Sequence, residues 1–225
     1  SGLTSTIEFS PVSNFNHQVW ALKEINENLI AGTDGGLFII RDNVPGMISG
    51  INAFTLFYLP ENDWLFVGGN HGLSVFQTRP TWKMLMDFPD IYEDINQIAL
   101  NRRSYYDGTE LWLGTNFQGA IKVIVHNDLS HETFKYGESD GLNEGWILPF
   151  STGDSIIFGT RAGIFRFNDE ELIKALLPDS LRDNPDNYRG FFEGSNVFKD
   201  TITDPVYCIT EDPERIWINI DNEIG

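Results

Sequence analysis

An all-β chain of repeated four-stranded blades, a β-propeller, is the fold class that the sequence predicts, and three observations predict it. The first is a recurring word. Leu29-Ile-Ala-Gly-Thr-Asp-Gly-Gly-Leu-Phe-Ile-Ile40 returns as Leu65 to Phe76, Leu111 to Val123 and Ile156 to Phe167, each time as an apolar run, a glycine, a short polar tip, a second glycine and a second apolar run. The second is its period. The leading glycines Gly32, Gly68, Gly114 and Gly159 stand 36, 46 and 45 residues apart, a spacing that marks a repeat architecture. The third is the alternation of apolar and polar residues in the flanking segments, which is the signal of half-buried strands.

Taken in order, Thr6 to Ser10 alternates and is stopped by Pro11, so residues 1–16 read as a linker or a stray outer strand. The first unit, about 17–50, has strands at Val19 to Leu22, Leu29 to Ala31 and Leu37 to Ile40, with the tip Thr33-Asp-Gly35. Arg41 to Asn43 and Val44 to Gly46 read as its closing turns. The second, about 51–94, runs through Ile51 to Leu56, Trp64 to Val67 and an outer strand at Trp82 to Met86. The third, about 95–143, has Ile95 to Leu100, Leu111 to Leu113, a longer tip Thr115 to Gln118, and Glu132 to Tyr136 outside.

The fourth, about 144–205, opens at Trp146 to Phe150, where Pro149 suggests a bulge, and continues through Ile156 to Phe158 and Ile164 to Phe167. Asn168 with Glu171 three residues on caps a helix to Leu177, and a strand is expected near Tyr188 to Phe192. The fifth, 206–225, holds Val206 to Thr210 and Ile216 to Ile218 and ends two strands early. The chain therefore reads as about four complete blades plus a partial fifth, an arc of a ring of about seven, with Gly225 an artificial or proteolytic end.

Composition narrows the partners. The 225 residues are 41% hydrophobic and 13% aromatic, enough for a core, and 15 Lys and Arg against 33 Asp and Glu give a net charge of −18. That charge opposes a polyanion, so nucleic acid and direct membrane insertion are not expected, and no stretch approaches the ~18 apolar residues of a membrane span. Cys208 is alone and reads as a small packed thiol in an alternating run. The start at Ser1-Gly2 reads as a cloning scar or cut site.

The punctuation of the repeats lacks the Trp-Asp pairing of WD40 blades and the Asp box of sialidase blades. Leu29 to Leu37, Leu111 to Gly119 and Ile156 to Ile164 instead resemble the two-component regulator propeller repeat, and Asp140-Gly141-Leu142 is similar to that family's blade junction. Gly69 in place of Thr, Ala120 in place of Leu or Ile, and Asn219-Ile220 in place of Gly-Thr depart from it. The resemblance implies a periplasmic, extracytoplasmic sensor region of a bacterial hybrid histidine kinase, in which the propeller precedes a β-sandwich, a membrane span and signalling domains. Some members of that family sense oligosaccharides.

In such a blade the tips between the second and third strands share a face with the junctions between blades. Ligand-binding candidates are therefore Asp34, Asn70, His71, Asn116, Gln118 and Arg161 on tips, with His17, Asp140, Asn143 and Trp146 at junctions. Polar groups around Trp146 suit an oligosaccharide or another small polar ligand, although each residue also reads as an ordinary exposed turn. His126 and His131 flanking Asp128 read as a surface loop, and Asp183 to Asn187 lacks a calcium loop's Gly and Glu, so neither metal nor cofactor is expected. No nucleophile elbow, P-loop or paired-carboxylate motif is present. The first reading is a non-catalytic ligand sensor. The alternatives are a polysaccharide lyase or glycosidase and a protein-interaction scaffold, with the helix at 169–177 either packing on the propeller or pairing two copies as a homodimer.

Overall fold

The computed structural model describes residues 11–104, 106–153, 155–169, 180, 190–195, 202–211, 215–220 and 223–224. The strand expected at 6–10, the Asp183 to Asn187 run and residues 170–177 of the expected helix lie outside them. Among the described residues the architecture is all-β, in five antiparallel meanders. The first blade is β1 (Val19–Ile25), β2 (Asn28–Thr33), β3 (Gly36–Arg41) and β4 (Val44–Ser49). The second is β5 (Thr55–Leu59), β6 (Trp64–Gly69), β7 (Gly72–Gln77) and β8 (Lys83–Asp87). The third is β9 (Ile95–Leu100), β10 (Thr109–Thr115), β11 (Ala120–Val125) and β12 (His131–Tyr136). The fourth is β13 (Ile147–Thr152), β14 (Ser155–Thr160), β15 (Gly163–Asn168) and β16 (Phe191–Gly194). The fifth shows β17 (Val206–Glu211), β18 (Ile216–Ile220) and β19 (Glu223–Ile224).

The inner strands β1, β5, β9, β13 and β17 of successive blades lie side by side, which is the arrangement of a propeller. Each pair of neighbours closes over its own core. Between the second and third blades it is mainly aliphatic, with Val75, Ile95, Leu111, Leu113 and Ile121 buried. Between the third and fourth it is aromatic, with Trp112 edge-on to Phe158 and Phe167. Alternation along β10 divides the two, since Leu111 and Leu113 face one neighbour and Trp112 the other. Lys122, opposite Trp112 on β11, is fully buried among the rings. Its ammonium donates to the Tyr106 hydroxyl at 3.0 Å and lies 3.4 Å from Asp169, and the faces of Tyr106 and Phe134 sit 4.8 Å away.

The repeated glycines explain the period. Where the leading glycine stands, the following blade's inner strand begins: a Cβ on Gly68 would fall 2.6 Å from Ile95, one on Gly159 2.8 Å from Val206, and Gly32 and Gly114 meet Ala53 and Ile147 in the same way. The trailing glycines Gly36, Gly72, Gly119 and Gly163 all have positive φ, and a Cβ on each would strike a carbonyl of the junction leaving the blade. Between them, the hydroxyls of Thr33, Thr115 and Thr160 donate to the carbonyls of Gly36, Gly119 and Gly163 at 2.8–3.0 Å and accept from a tip amide. Gly69 replaces this threonine in the second blade because the Asn52 carbonyl occupies the side-chain position.

Three expectations are corrected. Val44 to Gly46 belongs to a fourth strand, β4, rather than a closing turn. Pro149 causes no bulge, and β13 pairs with β14 in unbroken register, Pro149 opposite Phe158. Both Pro45 and Pro149 sit on strands paired on one side only, the place in a sheet where proline is tolerated. On inner strands, bulges fall instead at Trp20, Asn96 and Tyr207, and outer strands shift register at Ile48 and Leu85. The strand expected near 188–192 is β16, and Cys208, next to the Tyr207 bulge, is exposed rather than packed.

The first blade has two unlike faces. Ile30, Leu37 and Ile39 are buried against the second blade, whereas Leu22, Leu29 and Met47, paired on the opposite face, are 59%, 40% and 63% exposed. Phe15 and His17 lie against Phe38 on that opposite face, and Phe38 is buried.

Candidate functional site

The tips and the junctions are brought to one end of the blades. The Ala53 amide donates to the Thr33 carbonyl at 3.1 Å, and the backbone at Ser49, Ile91, Tyr136 and Ile202 abuts the trailing glycines. The candidates Asp34, His71, Asn116, Gln118, Trp146 and Arg161 all lie at this end but have different surroundings.

Asp34, on the first tip, has its carboxylate turned back onto its own blade. It accepts from the Gln18 amide at 3.1 Å and lies 3.3 Å from His17 Nδ1, while the Asp34 amide donates to the Gln18 carbonyl. His17 in turn covers Phe38, and its ring fills the space a side chain at Gly35 would need. Asp34 therefore anchors the strand entering β1. On the third tip, Asn116 Oδ1 accepts from Asn96 Nδ2 at 3.1 Å, which ties the tip to the bulge of its own inner strand. Gln118 is exposed, and its amide donates to Thr115. Asp140 is buried and accepts from the Gly137 amide at 2.9 Å within the junction turn, a structural position.

His71 is exposed on the second tip and lines a cavity of about 340 Å³ with Asn52, Asp87, Phe88, Pro89 and Tyr92. Close to it the Asn70 Oδ1 atom is buried without a hydrogen-bond partner.

The fourth tip is built differently. Arg161 lies over the Trp146 ring, its guanidinium carbon 5.4 Å from the centroid, and its stem runs against Gly145, whose φ of +119° no other residue adopts easily. Trp146 donates Nε1–H to the Val206 carbonyl at 2.8 Å and stacks on Tyr207 at 5.1 Å with 29° between the rings. Among the candidates, Arg161 and Trp146 touch one another, as His17 and Asp34 do. Among the described residues no carboxylate pairs with Arg161.

Sequence reasoning missed three other aromatic residues at this end. Tyr207 is 48% exposed, Phe117 on the third tip 80%, and Trp20, packed edge-on against Phe54 at 4.6 Å, 38%. Trp20 and Tyr207 both occupy inner-strand bulges, and no glycine or proline flags either position. Among the described residues no cluster of metal-ligating side chains is present, and no helix is long and apolar enough to cross a membrane.

No protein-family model matches this chain, and no curated protein matches it. Among solved structures, it is similar to the extracellular domain of a protein assigned to a hybrid two component system in B. thetaiotaomicron, with a TM-score of 0.64 at 21% identity. The match covers 92% of this chain and 25% of the other, so this chain spans about a quarter of that domain. At that identity the likeness is one of fold.

Proposed function

We propose that this chain is a ligand-sensing propeller module from the extracytoplasmic part of a two-component signalling receptor, non-catalytic in this segment, with the tip end as its ligand face. One observation carries the reading: the fold matched over nearly the whole chain is that of an extracellular domain assigned to such a system. The tip end supports it. Threonines and glycines form a common frame there, and the residues that differ from blade to blade, His71, Gln118 and Arg161, project from that frame with exposed side chains. An oligosaccharide or a comparable polar ligand suits aromatic surfaces flanked by hydrogen-bonding groups. In the receptor, binding would change how this end meets the rest of the extracytoplasmic region, and that change is the signal.

The test is a thermal-shift screen of the chain against a saccharide library, with every hit assayed for turnover. A saturating ligand at 100 times its Kd adds about 2.7 kcal/mol and raises the melting temperature by about 5–10 °C. Binding without products is the expected outcome. Release of shortened or unsaturated sugars would establish an enzyme and end the sensor reading.

A further inference from the structure

We infer that Arg161, Trp146 and Tyr207 form an anion seat that selects a saccharide bearing a carboxylate, over a neutral one. The inference rests on the sensor reading above and specifies its ligand.

Trp146 is fixed before any ligand arrives, because its indole N–H is bonded to the carbonyl of Val206, and Val206 is fully buried where β17 packs against Gly159. Among the described residues, Arg161 is held by a ring and by Gly145 rather than by an acid. Stacking on an aromatic face positions a guanidinium without using its N–H donors, so the planar fork is left for an incoming acceptor. Other arginines of the chain contrast with it: Arg41 donates to Asn28 at 2.7 Å, Arg79 lies 3.9 Å from Asp63, and Arg166 is bonded to Glu193. In a chain with 33 acidic and 15 basic residues, a guanidinium with no acid partner among the described residues, over a tryptophan that itself stacks on Tyr207, is a preorganised site for a negative group.

The ligand chemistry follows from the three side chains together. A carboxylate matches the bidentate geometry of the fork, and the half-exposed ring of Tyr207 offers a flat surface on which a sugar ring stacks. The net charge of −18 sets the size of the ligand. A long polyanion is repelled by the acidic surface as a whole, whereas a short saccharide with one or two carboxylates reaches a local cation within a Debye length of about 8–10 Å.

Titration calorimetry on the whole chain tests this with three probes: the disaccharide of galacturonic acid, its methyl ester, and glucose 6-phosphate. The acid should bind at least about tenfold more tightly than the ester, and added salt should weaken the acid alone. Arg161→Met should remove that preference, weakening the acid at least about tenfold and the ester far less, with an unaltered melting curve. Tyr207→Ala should weaken acid and ester alike. If the ester binds as tightly as the acid, or Arg161→Met leaves acid affinity unchanged, the anion seat is wrong while saccharide sensing stands. If glucose 6-phosphate is preferred, the carboxylate assignment falls. If none of the three binds, the inference fails, and the sensor reading is then decided separately by the library screen.

Discussion

The first and fourth tips share their first and last residues, Thr33-Asp34-Gly35-Gly36 and Thr160-Arg161-Ala162-Gly163, yet they leave their variable side chains in opposite conditions. Both threonines close the turn through the same pair of hydrogen bonds, and both trailing glycines sit at positive φ against a junction carbonyl. Within that shared frame Asp34 turns inward to the Gln18 amide and His17, while Arg161 lies across Trp146 without an acid partner among the described residues. The difference comes from the neighbouring strand. His17 enters β1 beside the first tip and supplies a polar partner, whereas Trp146 enters β13 beside the fourth and supplies a ring. A tip position is therefore structural or available according to what the adjoining junction presents to it.

The largest effects should come from breaking the shared frame, and should be equal in the two tips. Gly36→Val and Gly163→Val each combine a left-handed backbone with a collision against a backbone carbonyl, and each should cost about 3 kcal/mol or more. In calorimetric melting this appears as a fall of roughly 6–12 °C. A marked difference between the two would show that the tips are not equivalent frames. Next are Thr33→Val and Thr160→Val, which keep the shape but delete the hydroxyl. Each should cost about 1–2 kcal/mol, read from urea midpoints at unchanged slope.

The smallest effects should separate the tips. Asp34→Ala removes a half-exposed carboxylate that bonds a backbone amide, so it should cost no more than about 1 kcal/mol and leave saccharide binding unchanged. Arg161→Met should change stability by less than about 0.5 kcal/mol. A drop of several degrees for Arg161→Met would make that residue a structural prop like Asp34, and the contrast between the tips would vanish.

The propeller was legible because its glycines are fixed by backbone geometry that no other residue supplies, and such constraints recur wherever the blade recurs. Trp146 and Arg161 could be placed at the same end of the molecule from strand order alone. Their contact could not, since it depends on how far one junction leans toward a tip that follows it in the chain. Tyr207 was hidden for another reason. In strict alternation Val206, Tyr207 and Cys208 would face opposite sides in turn, but a bulge without a glycine or proline breaks the alternation, exposing Cys208 as well as Tyr207. Lys122 was equally opaque, because a lysine within a strand reads as a solvent-facing position until the surrounding rings are known.

The mating of each leading glycine with the inner strand that follows it has a direction. The recess at Gly32, Gly68, Gly114 or Gly159 belongs to the earlier blade, and the residue that fills it lies at or just before the first strand of the later one. During synthesis the recess is complete before its occupant leaves the ribosome, so each new blade meets a finished template with its very first strand. Such a fold can assemble vectorially, one blade at a time, with no wait for distant sequence. Chains truncated after β8, β12 and β16 should then show step-by-step gains in amide protection, beginning at the N-terminal blade.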